Sequence, residues 1–223
     1  TSVNGYPLQN LSANGTIENK VFQGKTIVDD PNLQFETSGR YSLSDSFPVF
    51  NFSAQVRKIN LSAFHILPQD SIHYLQANIE ANFVGNSINE FDGDIHIKNL
   101  TLKNRNTALT INNIDINAFN NKKINATAIS SELFDMQIKG KYHLGSILED
   151  LKFVVKKYIP SMPANVGSPE ENDFAFNILL KHPQPIFDFF YPTLKLADSS
   201  KLSGIFRPAA GKLDITANAG YLQ

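Results

Sequence analysis

The chain has no cysteine and no tryptophan, and its 20 basic and 21 acidic residues leave a net charge of −1. Without cysteine there is no disulfide, no thiolate nucleophile and no cysteine zinc site. An outer-membrane barrel is disfavoured, because such barrels carry tryptophan and tyrosine at the membrane interfaces. The balanced charge gives no sign of a surface that binds nucleic acid. We therefore expect no nucleic-acid partner.

Long apolar runs are also missing, since none approaches the length that spans a bilayer and no signal peptide begins at Thr1. The 223 residues, of which 42% are hydrophobic, allow one large β domain or two small ones. The chain begins and ends within its strand pattern, and we therefore expect a piece of a longer protein.

Motifs that carry catalysis are absent as well, including a Gly-rich phosphate loop and a G-x-S-x-G nucleophile turn. The best metal candidate is Asp92, Asp94 and His96, which share one face of a predicted strand. Asp92-Gly93 is also an ordinary hairpin-turn sequence, and metal ligands would have to converge from other strands. We therefore expect no metal, no cofactor and no enzymatic activity.

Alternation of apolar and polar residues is the strongest pattern in the chain. Leu33–Leu43 places an apolar or small residue at every second position, which is typical of a strand with one dry face. Phe134–Leu144 repeats this pattern 101 residues later, so that Gly39 corresponds to Gly140 and Tyr41 to Tyr142. This internal repeat predicts two equivalent strands in a repetitive sheet.

The same alternation predicts an antiparallel meander along most of the chain. Turn signals are expected at Asn14-Gly15, Gln23-Gly24, Pro31-Asn32, Asp92-Gly93 and Asn120-Asn121. The predicted strands are Thr16–Phe22, Lys25–Asp29, Leu33–Leu43, Val49–Val56 with a continuation to Leu61, Ser71–Val84, Asp94–Leu102, Ala108–Ala118, Lys123–Ala128, Phe134–Leu144, Asp173–Lys181, Lys201–Phe206 and Lys212–Ala217.

A helical period replaces the alternation at Ser146–Ile159, with a capping box of Ser146 and Glu149 at its start. Its apolar side is predicted to cover or plug the sheet, and the alternative is a helix that binds a membrane surface or a partner. The residues expected to face the sheet are Ile147, Leu148, Leu151, Val154, Val155 and Tyr158. A second, short helix is predicted at Pro185–Tyr191.

Four segments follow from these patterns. Residues 1–144 are predicted to form the repetitive sheet, 145–160 the amphipathic helix, 161–172 a mobile loop, and 173–223 a closing β segment with the short helix. The predicted fold class is a mostly β protein, built as a long, bent antiparallel sheet with one amphipathic and one short helix.

The stretch GTIENKVFQGKTIVDDPNLQFETSGRYSLSDSFPVFNFSAQV at Gly15–Val56 resembles the repeated module of the TamB/AsmA-like proteins of Gram-negative envelopes. The likeness lies in a hairpin, an Asp-Asp turn, a strand with a central glycine and a Pro-Val-Phe-x-Phe strand. Later pieces resemble the family in the same order: Phe91–Leu102, Ile111–Ala118, the helix after Leu144, Phe189–Leu196 and Leu202–Phe206.

The resemblance implies a periplasmic segment of a protein that is anchored in the inner membrane by one helix. Members of this family build a long half-pipe, or β-taco, whose concave face is apolar. They are implicated in moving phospholipid towards the outer membrane and in helping outer-membrane proteins assemble. Two partners are thus implied: phospholipid acyl chains, and an outer-membrane barrel protein of the Omp85 type that contacts the full-length chain.

The apolar face of the strands is the candidate functional surface, and two interpretations of it stay open. It is either an open groove for acyl chains or the sealed core of a β-sandwich-like surface binding or adhesion module. The residues expected to line it are Phe35, Tyr41, Phe50, Phe52, Ile79, Phe83, Ile97, Ile111, Ile116, Met136, Ile138 and Tyr142.

Overall fold

The computed structural model describes residues 2–3, 5–42, 47–64, 73–85, 91–121, 124–143, 146–156, 172–193 and 195–218. The strands are β1 (Ser2–Val3), β2 (Tyr6–Pro7), β3 (Leu11–Glu18), β4 (Val21–Asp30), β5 (Leu33–Ser42), β6 (Val49–Asn60), β7 (Tyr74–Gly85), β8 (Phe91–Lys103), β9 (Ala108–Asn121), β10 (Ile124–Ser131), β11 (Phe134–Lys141), β12 (Asp173–Leu180), β13 (Ser200–Arg207) and β14 (Lys212–Asn218). The helices are α1 (Ile147–Lys156), α2 (Gln184–Phe190) and a 3-10 turn at Pro208–Ala210.

One open, 12-stranded antiparallel sheet holds β3 to β14 in sequence order, and it does not close on itself. The predicted fold class is confirmed: the protein is mostly β, with one amphipathic and one short helix. The last three strands, β12–β14, extend the sheet rather than close it. Among the described residues, no helix has the length and apolar character needed to cross a membrane.

A single row of small or apolar residues crosses the whole sheet on one face, because each member pairs directly with the next strand's member. The row begins at three glycines and continues through larger apolar side chains. Its members are Gly15, Gly24, Gly39, Phe52, Ala81, Ile95, Ile116, Ile129, Met136, Ile178, Leu202 and Ala217. The alternation in the sequence therefore builds one continuous apolar face.

Four of the predicted turns are wrong. Asn14-Gly15, Gln23-Gly24 and Asp92-Gly93 all lie inside strands, and the first hairpin instead turns at Asn19-Lys20, where both residues have positive φ. Gly15 opposes Gly24, and a Cβ added at Gly15 would lie 2.4 Å from the carbonyl oxygen of Gln23. The glycines are needed because the two strands approach closely there. In the sequence alone, a glycine that serves this purpose looks the same as a glycine in a turn. Asn120-Asn121 likewise continues β9 instead of turning.

Register shifts bend the middle of the sheet at neighbouring places on consecutive strands. They fall between Gln34 and Phe35 in β5, between Val56 and Ile59 in β6, and between Gln76 and Asn78 in β7. An extra residue in one strand of a pair bends that strand and increases its twist. The shifts allow a strand of 12 residues such as β6 to keep its apolar side chains on one face despite a break in strict alternation.

The internal repeat is confirmed by strand register. Gly24 opposes Gly39 in the β4–β5 hairpin, and Asn125 opposes Gly140 in the β10–β11 hairpin, each number being 101 higher. Added Cβ atoms would clash alike, since Gly39 faces the Cα of Phe52 and Gly140 faces the Cα of Phe174. The two glycines differ in backbone conformation, because only Gly140 has positive φ, at 138°.

Both helices were predicted nearly in place. Helix α1 starts one residue after Ser146, and residues 157–159 of the predicted helix lie outside the described part. The Ser146 hydroxyl donates to the carbonyl oxygen of His143 at 3.1 Å and contacts a carboxylate oxygen of Asp150 at 3.4 Å. The side chain of Glu149, the other half of the predicted capping box, is not among the described side chains. Helix α2 begins and ends one residue earlier than predicted.

Two apolar clusters of the core lie beneath the helices, and outside them Val28, Val56, Phe64 and Ala77 are also buried, at 2–5% exposure. The cluster under α2 holds Leu109, Ile111, Ile114, Leu133 and Phe189. The cluster under α1 holds Ile138, Tyr142, Val154, Phe174 and Phe206. Of the predicted mobile loop, residues 161–171 lie outside the described part, and Asn172 is buried with its side chain hydrogen-bonded to Ser146 and Asp150. Asn172 therefore belongs to the frame that holds α1, not to a loose connection.

Candidate functional site: an apolar face in two parts

The structure brings all twelve predicted lining residues to one face of the sheet. Direct cross-strand pairs join Tyr41 with Phe50, Phe50 with Phe83, and Ile79 with Ile97. The other members are placed on the same face because they belong to the row that crosses the sheet, to the cluster under α2 or to the cluster under α1, or because they pair or hydrogen-bond with a residue of that face. These are Phe35, Phe52, Ile111, Ile116, Met136, Ile138 and Tyr142.

Six aromatic rings form a continuous surface on β4–β8, which we call the aromatic trough. Neighbouring ring centroids lie 4.9 to 6.4 Å apart, in stacked and edge-to-face arrangements that suit aromatic pairs. The rings are Phe22, Tyr41, Phe50, Phe52, Phe83 and Phe91.

The floor of the aromatic trough is made of small side chains, while five of its six rings stay half-exposed and the sixth, Phe91, is 8% exposed. Ala54 and Ala81 are 6% exposed, whereas Tyr41, Phe52 and Phe83 have intermediate exposure. Neither α1 nor α2 packs on these rings among the contacts of the described residues. The trough is therefore a channel-like apolar surface that solvent reaches in the described structure.

The polar atoms within the trough are already used by the protein itself. Thr37 shares a short hydrogen bond with the Tyr41 hydroxyl and donates to the carbonyl oxygen of Ser53 at 3.1 Å. At the repeated position, the Tyr142 hydroxyl contacts the Thr127 hydroxyl at 2.6 Å. A ligand on this face consequently meets carbon atoms and satisfied hydroxyls rather than groups that recognise a polar molecule.

The second part of the face lies under α1 and was only half predicted. Between the helix and β11–β14 there is a cleft of about 440 Å³, which we call the α1 cleft. It is lined by Met136, Ile138, Ile147, Leu151, Phe174, Phe176, Ile178, Phe206, Leu213 and Ile215. The six lining residues on β12–β14 follow the same alternation as the earlier strands, and that pattern could have placed them on this face. They are Phe174, Phe176, Ile178, Phe206, Leu213 and Ile215.

The predicted helix residues are brought to this place where they are described. Ile147, Leu151 and Val154 pack on the cluster under α1, and Val154 is fully buried. Phe153 also packs there and was missed. The side chains of Leu148 and Val155, and the whole of Tyr158, lie outside the described part.

The metal candidate on the opposite, polar face does not form a site. His96 Nδ1 lies 2.6 Å from a carboxylate oxygen of Asp115, and Asp94 accepts a hydrogen bond from the Asn117 amide at 2.6 Å. Asp92 accepts from the Asn120 backbone at 3.4 Å. Each group is occupied by a partner on β9, and the described residues contain no cluster of three or more ligands for a metal ion.

Two carboxylates with shifted pKa values, Asp30 and Glu132, accept backbone hydrogen bonds at the ends of strands. Burial alone would raise the pKa of Asp30, but hydrogen bonds from Asn32, Gln9 and Tyr6 outweigh it, so the pKa lies below its ordinary value. The pKa of Glu132 is lowered in the same way, because its carboxylate accepts from the Asn112 and Asn113 backbones. Neither group lies in the aromatic trough or the α1 cleft.

No family model, no curated protein and no solved structure matches this chain.

Proposed function

We propose that this chain is a non-enzymatic, periplasmic segment of a TamB/AsmA-like envelope protein whose apolar face carries phospholipid acyl chains. In the full-length protein this path would serve lipid movement between the inner and outer membranes, support outer-membrane protein assembly, or both. The observation that carries the proposal is the aromatic trough, an apolar surface across five strands in which five of the six rings are only half-buried.

An acyl chain is the ligand that suits such a surface on physical grounds. Soluble proteins seldom leave large contiguous apolar patches in water, because each Å² of exposed apolar surface costs roughly 25 cal/mol. An alkyl chain removes that surface from water and asks for no hydrogen-bond partner. The continuous row from Gly15 to Ala217 gives it a path from strand to strand without a polar interruption.

The alternative is a binding or adhesion module with a sealed core. It is supported by the two clusters under α1 and α2, in which Phe174, Phe189 and Phe206 are 2–7% exposed. In the described part, however, the cluster under α2 reaches β8 only through Ile97, Leu100 and Leu102, and five trough rings keep intermediate exposure: Phe22, Tyr41, Phe50, Phe52 and Phe83. The partial cover therefore favours a surface that is open along one part of its length.

Site-specific photocrosslinking tests the proposal with a matched pair of positions. Phe52 points into the aromatic trough, and its neighbour Asn51 is exposed on the polar face. A benzoylphenylalanine at position 52 should crosslink radiolabelled phosphatidylethanolamine from vesicles, and the same residue at position 51 should not. Equal labelling at both positions, or none at position 52 in a folded protein, would overturn the proposal.

A further inference from the structure

We propose that the α1 cleft is a separate binding site for a single alkyl chain, distinct from the aromatic trough. This inference rests on the proposed function, because it assigns a defined chain site to the same apolar face. The cleft measures about 440 Å³. That volume falls at the lower part of the roughly 300–1,000 Å³ typical of small-molecule sites, and so suits one slender chain.

The lining of the α1 cleft sets the chemistry of its ligand. All ten lining side chains are apolar, and apart from the weakly accepting thioether of Met136 none offers a hydrogen-bond donor or acceptor. A buried polar group without a partner costs several kcal/mol, of the order of 2–7 in an apolar medium. The part of a ligand inside the cleft can therefore carry no hydroxyl, amide or phosphate, which excludes sugars, nucleotides and peptides and leaves a hydrocarbon chain.

Aromatic side chains and one glycine give the α1 cleft its shape. Phe174 lies between Phe176 and Phe206, with ring centroids 6.4 and 5.4 Å away. Gly204 lies beneath Phe176, and a Cβ at this position would be 2.9 Å from that ring. A larger residue would push the ring towards the space that the chain would occupy. Gly204 thus lets the Phe176 ring stay out of the space that the alkyl chain would occupy.

Access to the α1 cleft lies at the edge of the sheet. Ile215 lines the cleft and is 54% exposed, and it belongs to β14, which pairs only with β13 in the described part. Leu213, on the same strand, is half-buried. A chain can therefore enter beside Ile215 while its polar head stays in water, as a fatty acid or one arm of a phospholipid would.

The roof of the α1 cleft is fixed before any ligand arrives. Val154 is 0% exposed in the cluster under α1. At the start of the helix, the Asn172 amide donates to Asp150 and to Ser146, and its oxygen accepts from the His143 backbone at 2.7 Å. A preformed site avoids the cost of ordering its walls on binding.

Methyl NMR reports on this site directly, because the chain has only two methionines and Met136 lines the cleft. We expect the ¹³C-methyl signal of Met136, assigned with Met136→Leu, to shift saturably when dodecanoic acid is added. Lysophosphatidylcholine with a dodecanoyl chain should act alike if the site reads only the alkyl chain. A shift with dodecanoic acid alone would assign the site to free fatty acids.

Two tryptophan variants locate the chain. Leu213→Trp should fill the mouth and remove the Met136 shift, and Ile215→Trp at the exposed rim serves if the first variant fails to fold. Ala81→Trp, in the floor of the aromatic trough, should leave the shift intact. A shift that survives both rim variants would overturn the α1 cleft as the binding site.

The outcome for this site is separable from that of the proposed function. An unshifted Met136 signal in a protein that still crosslinks phospholipid at position 52 would overturn the α1 cleft and leave the trough standing. A saturable, rim-sensitive shift in a protein that fails to crosslink at position 52 would support the cleft as a chain site and refute the trough as a lipid path.

Discussion

The two halves of the sheet are built from the same alternating strands but meet solvent differently. On β9–β14 the apolar face lies beneath α1 and α2, and buried residues such as Ile138 and Phe206 are 7% and 2% exposed. On β4–β8 the same face carries the aromatic trough, whose rings other than Phe91 are half-exposed. Alternation therefore determines which side of a strand is apolar, while cover depends on segments that lie elsewhere in the chain.

The two halves also differ in the type of apolar side chain on this face, and the difference follows whether a helix packs above it. Rings in the aromatic trough bury part of their surface against one another, as Phe50 and Phe83 do at 4.9 Å. Under the helices, aliphatic side chains such as Ile111 and Ile114 pack against Phe189 from α2. Flat rings can share contacts within one layer, whereas branched aliphatic side chains gain most from a second layer above them.

The largest predicted effect comes from placing a charge in each half. Ile138→Asp would bury a carboxylate beneath α1 without a partner, at a cost of roughly 3–5 kcal/mol, which is much of a typical domain's stability. Phe52→Glu loses ring contacts worth about 0.5–1.5 kcal/mol each but can turn its carboxylate towards water. Urea unfolding should therefore show a large loss for Ile138→Asp and a small one for Phe52→Glu.

This pair also separates the two interpretations of the trough. A folded Phe52→Glu protein that no longer crosslinks lipid through a probe at position 83 supports the open path. If Phe52→Glu abolished cooperative unfolding as Ile138→Asp does, the trough would be a sealed core and the comparison between the halves would fail.

A second prediction concerns cover by α2 and uses two adjacent phenylalanines. Phe189 is 7% exposed in the cluster under α2, whereas Phe190 is 46% exposed. Phe189→Ala should cost about 3–5 kcal/mol, since it leaves a cavity above β9. Phe190→Ala removes mainly one ring contact and should cost about 1 kcal/mol or less. Chemical denaturation measures both, and equal losses would show that α2 does not seal this half through Phe189.

The period of the chain was enough to predict the sheet, its antiparallel order and the shared face. It was not enough to place the turns, because Gly15 and Gly24 are read as turn residues although close strand contact explains them. Single-strand patterns contain no information about the neighbouring strand. The actual turn has positive φ at both Asn19 and Lys20. Asparagine is favoured in that conformation, but lysine in place of the usual glycine weakens the turn signal.

The candidate site was predicted as one uniform face, and the structure divides it. Ile138 and Tyr142 were grouped with Phe52 and Phe83 because all share strand parity. Parity says which side a residue faces, but not whether a helix later in the chain covers that side. Phe153 was missed for a related reason: its contact with the cluster depends on how α1 is rotated against the sheet.

A third prediction compares the repeated glycines across the two halves. Gly39 and Gly140 each leave no room for a Cβ, with the nearest carbonyl oxygen 2.3 Å away in both cases. Only Gly140 also has a φ of 138°, which side chains rarely adopt. Gly39→Ala should cost about 1–3 kcal/mol through crowding, and Gly140→Ala should cost more. Thermal melts measure both, with exposed Ser38→Ala as control, and a larger loss at Gly39 would contradict the argument.

The smallest predicted effect concerns two turns that correspond to each other in the internal repeat, one in each half of the sheet. In the β4–β5 turn, an Asp30 carboxylate oxygen accepts from the Asn32 backbone at 2.8 Å. At the corresponding place in the β10–β11 turn, Ser131 Oγ accepts from the Leu133 backbone at 3.2 Å. A carboxylate and a hydroxyl thus serve the same turn, but only the carboxylate titrates.

Acid should therefore weaken the β4–β5 turn and not its counterpart. The folded pKa of Asp30 lies below its ordinary value, so its stabilisation is present above the ordinary pKa and is lost as pH falls through the folded pKa. Asp30→Ser should lower the free energy of unfolding at pH 7, and its deficit against the wild-type chain should shrink as pH falls towards 3. Urea unfolding across this range measures the deficit, with Ser131→Ala as the matched control whose deficit should not shrink. A constant deficit for Asp30→Ser would mean that the carboxylate's charge contributes nothing to the turn.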